Sequence, residues 1–302
     1  MDIPFAGEIA AILTSIAFSI GPSLFTLAGR QVGSAVVNRT RLVFAVILLS
    51  ITHWIIFSQP IPFDASTDRW IWFALSGVIG LTLGDAALLQ AFVMLGTRLT
   101  MLIFSLSPIF SAILAWWFLA ETLTLLQIAG MLVTLVGVAW VVADQDNEAQ
   151  KSLSSKDYGK GIVFGVLGAL GQSIGLITAK FGLADNFPTL SGQVIRMFTA
   201  MIAIWIWTAF SREIRSTFQS LRGSSRAVKH ILIASVIGPF IGVWLSLVAI
   251  QFAQVGVAST LMALPPLFLI PISYIFFKER ITSRAIAGTF IALAGVALLF
   301  LV

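Results

Sequence analysis

Apolar residues run along this chain in blocks of about 20, with polar residues gathered in the short gaps between them. Ten blocks can be delimited, at 7–28, 36–57, 70–95, 99–119, 124–142, 159–182, 189–210, 230–253, 257–277 and 283–301. As a helix rising about 1.5 Å per residue, a block of this length crosses a hydrocarbon core of about 30 Å. Lipid offers backbone amides no partner, so segments this long must satisfy themselves as helices; a closed barrel would need alternation at every second residue, which is absent. The pattern predicts an all-α integral membrane protein of ten transmembrane helices. Most gaps are too short for anything but antiparallel neighbours. The longest polar run, "ADQDNEAQKSLSSKDYGK" (Ala143–Lys160), separates a first five-helix unit, 1–142, from a second, 159–302, through a linker at 143–158.

The two units are copies. At a constant offset of 158 positions, residues 77–142 align without a gap on 235–300, pairing Gly80 with Gly238, Gly84 with Gly242, Pro108 with Pro266, Glu121 with Glu279, Gly130 with Gly288 and Gly137 with Gly295. The first helices match at an offset of 154 through "SIG" at Ser19–Gly21 and Ser173–Gly175, and Arg41 meets Arg196 one residue out of that phase. An odd number of helices per unit makes the second copy enter the bilayer from the other side. The expectation is therefore an inverted repeat, the common plan of secondary transporters.

Composition agrees with the pattern. Of the 302 residues 58% are hydrophobic and 10% charged, against about 25% charged in soluble domains. No cysteine is present, which excludes a disulfide framework, a thiolate metal site and a cysteine nucleophile. The first block lacks a basic flank and is expected to be a retained helix, not a signal peptide. The formal charge of +5 reports orientation here, not a nucleic-acid partner. Fourteen of the 18 basic residues fall in loops after odd-numbered helices, with Arg41 just inside the same face; the other face has Arg69, Lys180 and Arg196. By the positive-inside rule both termini are expected outside the cytoplasm.

Glu121 and Glu279 sit between the fourth and fifth blocks of each unit. "TLLQ" after Glu121 is a capping-box pattern, so an acid placed beside the start of a helix is the expected role of Glu121. Ionisable residues inside the blocks point to function instead. Asp85, in "GLTLGDAALLQ", has Arg41 as its expected partner, either in a structural salt bridge between two helices or in a functional role. Val243 replaces Asp85 in the second copy, leaving Arg196 without an equivalent acid; it either snorkels to the interface or binds an anionic group. Ser19, Gln90, Gln172, Ser173, Trp244 and Gln251 are further candidates to line a cavity, with interhelical hydrogen bonding as the alternative role.

On these features the chain resembles the drug/metabolite transporter superfamily with two EamA-type domains. The features are the duplicated five-helix unit, the prolines of "SLSPIF" and "LPPLF", a glutamate at the end of the fourth helix, and the glycine pairs of "GMLVTLVG" and "GTFIALAG". The resemblance spans essentially the whole chain. It implies a central cavity lined by the first, third and fourth helices of each unit, and termini in the cytoplasm, opposite to the charge bias above. The expected function is a secondary active transporter, an exporter, moving a small metabolite or amphipathic compound across the cytoplasmic membrane by alternating access. Protons are the candidate coupling ion, with Asp85 as the only carboxylate deep in a helix. Few fixed cations face the expected cavity, which argues for a partly apolar or zwitterionic substrate over a polyanion. A non-transporting receptor or scaffold and a membrane-embedded enzyme are the alternatives. The enzyme reading finds no HExxH, GxSxG or phosphate loop, and no cofactor or metal is implied. The bilayer and a small-molecule substrate are the expected partners, with the oligomeric state open between monomer and homodimer.

Overall fold

A computed structural model describes residues 4–143, 155–272 and 283–300. Glu279, most of the linker and both chain ends lie outside these residues. The helices are α1 (Ala6–Val32), α2 (Ser34–Phe57), α3 (Thr67–Leu95), α4 (Leu99–Leu119), α5 (Leu125–Ala143), α6 (Ser155–Gly182), α7 (Thr189–Phe210), α8 (Ile214–Arg222), α9 (Ser225–Phe252), α10 (Val255–Phe268) and α11 (Ser283–Leu299). Seven of them, α1 to α4, α6, α7 and α9, are long and apolar enough to cross a membrane, while α5, α10 and α11 are apolar but shorter. No strand occurs among the described residues.

Where the chain is described, the sequence blocks and the helices coincide within a few residues, with one addition; the end of the ninth block, 273–277, lies outside the described residues. Helix α8 is amphipathic and basic, too polar to have registered as a block, and it packs beside the start of α2. Arg39 of α2 is buried there, donating to Thr217 Oγ1 at 2.7 Å and pairing with Glu213. The chain turns from α1 to α2 on the single residue Gly33, whose φ of +87° costs a glycine little.

The main contacts join one half of the chain to the other. Helix α3 lies on α6 and α9 lies on α1; α2 pairs with α7, and α5 packs along most of its length on α11. Without a hydrophobic force between helices in lipid, close approach over small residues is what holds such pairs. A Cβ added at Gly171 would sit 2.7 Å from Gly84 Cα, and one at Gly137 would sit 2.3 Å from Ala292 N, so at both crossings backbone meets backbone.

Two helices carry the same irregularity at matching positions. Residues Gly77–Gly84 of α3 and Val236–Gly242 of α9 are π-helical. Pro239, which has no N–H to donate, sits inside the second of these turns. The wide turns turn carbonyls toward neighbouring helices. Thr82 O accepts from Asn38 Nδ2 at 3.3 Å, and Pro239 O accepts from Gln193 Nε2 at 3.4 Å. Asn38 and Gln193 are each three residues before the arginine of their helix, so a spacing shared by α2 and α7 serves the same purpose in both halves.

Candidate functional site

Between the halves, beside the π-helical turns, lies a cavity of about 820 Å³ including its open mouth. Both halves build it. Phe18, Pro22 and Phe25 come from α1, Arg41 from α2, Asp85, Leu88 and Phe92 from α3, and Met101 and Phe104 from α4. The second half supplies Gln172 from α6, Gly238, Pro239 and Val243 from α9, and Met262 from α10. The cavity occupies the half of the bundle where α1 ends and α2 begins. Toward the opposite end a packed apolar cluster closes the bundle, with Ala10 and Ala11 of α1, Leu176 and Ile177 of α6, Leu247 and Ile250 of α9, and Leu261 of α10.

The wall is mostly aromatic and aliphatic, with one charged pair set into it. Arg41 and Asp85 form an ion pair whose side chains are 6% and 14% exposed. Arg41 is held in place by Asn38 Oδ1, which accepts from its Nε at 2.9 Å, and by Leu81 O at 3.4 Å from Nη2. Its guanidinium also lies 5.8 Å from the centre of the Phe25 ring, a cation–π contact that strengthens where water is scarce. The pair is thus a docked unit whose acid faces the cavity.

Of the other expected cavity residues, only Gln172 lines it. Ser19 bonds within its own helix to Ile16 O. Gln90 accepts from Ser34 Oγ, and Ser173 joins Ser107 across α4 and α6 at 3.1 Å. Trp244 donates to Thr189 Oγ1 at 3.2 Å, and Gln251 donates to Phe187 O at 3.2 Å. Gln90, Ser173 and Trp244 thus tie helices together, Gln251 ties α9 to the connection before α7, and Ser19 bonds only within α1. Arg196 does not snorkel: it is fully buried, and its nitrogens have no hydrogen-bond partner among the described residues. An added Cβ at Gly80 would lie 3.7 Å from Arg196 Nη2, which places the guanidinium against the π-helical turn of α3.

Glu121 does more than the capping-box reading held. Thr124 and Gln127 do form the reciprocal cap of α5, with Thr124 N donating to Gln127 Oε1 at 2.8 Å and Gln127 N to Thr124 Oγ1 at 3.2 Å. Glu121 itself reaches the other half and accepts the first amide of α10, Val255 N, at 2.8 Å. Burial pushes its carboxyl above the usual range, opposed by the Val255 amide and by the charge of Lys180. Lys180 donates to the carbonyls of Ile250 and Ala253 where α9 ends. An acid and a cation thus hold the corner between α9 and α10 from its two sides, each opposite the helix terminus whose partial charge it complements.

The phenylalanines of the wall escaped the sequence reading, because 24 phenylalanines in so apolar a chain give no contrast. Position relative to Asp85 was the usable signal: Leu88, Leu89 and Phe92 follow it at helical spacing on one face.

Taken together, these features define a multi-pass membrane bundle built from two repeats around a central cavity that both repeats line. The chain belongs to the EamA-like transporter family, whose pattern matches it twice, over residues 5–143 and 159–301. No curated protein matches it. Among solved structures, one described only as the crystal structure of a protein aligns with a TM-score of 0.69 at 14% identity, covering 96% of this chain and 95% of that one. At that identity the likeness establishes a shared fold.

Proposed function

We propose that the chain is a secondary transporter, with ten membrane crossings in two inverted repeats, that exports a small, partly apolar or zwitterionic compound by alternating access. The cavity supports this most directly: it is lined from both halves and closed toward one end by apolar packing, as a substrate site between two rocking repeats should be. Its apolar wall with one ion pair suits a ligand carrying little net charge. Saturable uptake of a labelled sugar phosphate into proteoliposomes holding only this protein would exclude that substrate class.

Asp85 is the residue we assign to coupling. A carboxylate in an apolar wall stays charged beside a cation and takes up a proton more readily once the cation withdraws. Motion that separates Asp85 from Arg41 would let the acid take up a proton, and renewed contact with a cation would release it. Asp85→Asn keeps the side-chain shape and still accepts from Arg41, so the variant should fold. In proteoliposomes given a pH gradient and a panel of labelled zwitterionic and amphipathic compounds, wild type is expected to accumulate its substrate. The variant should bind that substrate yet lose the dependence on the gradient, and undiminished uphill transport would remove Asp85 from the role.

The orientation follows the charge bias. Around α8, the end of α1 and the start of α9 gather Arg30, Arg39, Arg212, Arg215, Arg222, Arg226 and Lys229. The positive-inside rule places this end in the cytoplasm and both termini outside it. A reporter active only in the cytoplasm, fused to the C-terminal end, should stay silent; strong activity would reverse the assignment.

A further inference from the structure

Arg196 has no function in anything described so far, and its state is costly. A guanidinium carries five N–H donors and cannot shed its charge in a protein. Here none of its nitrogens is bonded among the described residues, although the side chain is fully enclosed. Leaving such a group unsatisfied away from water costs several times what a lost neutral hydrogen bond does. Another arrangement of the same helices that paired it would remove that cost. Arg41 and Arg196 are each the eighth residue of their helix, and α2 and α7 start from opposite ends of the bundle. The two cations therefore stand at different depths on either side of the bundle's middle. Helix α3 packs against both α2 and α7. Its only acid within the bundle, Asp85, follows directly after the π-helical turn against which Arg196 lies.

We propose that Asp85 is the shared partner of two guanidinium groups, pairing with Arg41 in the access state seen here and with Arg196 in the opposite one. This rests on the transporter reading above. The π-helical turn gives Asp85 the freedom the exchange needs: moving such a turn one residue along the helix, past Asp85, rotates that side chain by about 100° while the helix beyond keeps its place. Moving the acid from one cation to the other carries it toward the end now closed by apolar packing. Because the second repeat has Val243 where the first has Asp85, only one acid serves both cations, and the two pairings exclude each other.

The chain has no cysteine, so a single introduced thiol reports one position without background. Ser105 lines the cavity, and Ser111, two turns further along α4, is fully buried in the closed half. Each is replaced by cysteine in the full chain, reconstituted in nanodiscs that leave both faces open to a water-soluble maleimide. In the wild-type background both thiols should react. Arg196→Leu should slow labelling of Ser111→Cys at least tenfold, because the closed half loses the pairing that opens it, while Ser105→Cys reacts as fast or faster. Arg41→Leu should shift both rates the other way. Arg196→Gln, a second variant that keeps a polar side chain, should act like Arg196→Leu. A merely structural Arg196 would lower the unfolding midpoint without redistributing the two rates. Unchanged rates in Arg196→Leu, or shifts of the same sign in the Arg41 and Arg196 variants, would overturn the exchange while leaving the transporter reading intact. A Ser111→Cys that never reacts in the wild-type background would overturn both.

Discussion

Asp85→Leu is expected to destabilise the folded chain by about 3 to 5 kcal/mol, the usual cost of removing one partner from a buried ion pair. The loss comes from what remains. Arg41 keeps Asn38 Oδ1 and Leu81 O but has no countercharge, and Arg196, which lies against the π-helical turn that precedes Asp85, is left without that charge as well. Replacing all three by leucine should recover most of the stability, since an apolar substitute for a whole buried charge group is often neutral or better. The check is the unfolding midpoint of wild type, single and triple variants in one detergent. A triple variant no more stable than Asp85→Leu would mean that the cost lay in lost packing, not stranded charge.

Gly137→Leu is expected to have the next largest effect, through shape alone. The first atom of any side chain there would lie 2.3 Å from Ala292 N and 2.7 Å from both Ala292 Cα and Gly288 O. Backbone cannot move aside as the tip of a flexible side chain can, so α5 and α11 must separate along their shared face. Overpacking of this kind costs typically about 1 to 3 kcal/mol, and the separation should extend it toward the upper end. Gly159→Leu is the control, because an added Cβ there meets nothing within 4 Å. The same melting experiment separates the two; equal midpoints for Gly137→Leu and wild type would show that the α5–α11 contact is not tight.

The helices were legible in the sequence because the bilayer enforces length and apolarity on each, and the repeat was legible because Gly80, Gly84, Gly130 and Gly137 recur in register. The Arg41–Asp85 pair was legible too, since an ionised group inside such a helix must find a countercharge. What could not be read depends on direction. Whether Gln90, Ser173 or Gln251 faces a cavity or a neighbouring helix turns on a rotation of a fraction of a turn. The π-helical turns in α3 and α9 shift that rotation by an amount no hydrophobic pattern records. The snorkelling alternative for Arg196 failed for a related reason: as the eighth residue of its helix, a long side chain has room to reach the surface, and only the packing of α3 over α7 decides that it does not. Glu121 lies outside any helix, so its reach to Val255 of the other half left no trace in local sequence.

The crossed packing of the two halves also constrains how the chain is made. Helices α1 to α5 leave the ribosome before the surfaces they rest on exist: α3 must wait for α6, α1 for α9, and α5 for α11. During that interval the glycine-lined faces at Gly84 and Gly137 lack the helices that cover them in the finished fold. Insertion and assembly are therefore separate stages, with a stalled or truncated chain left as a set of loosely associated helices bearing an Arg41–Asp85 pair in hydrocarbon. Such a product is what membrane proteolysis is built to clear.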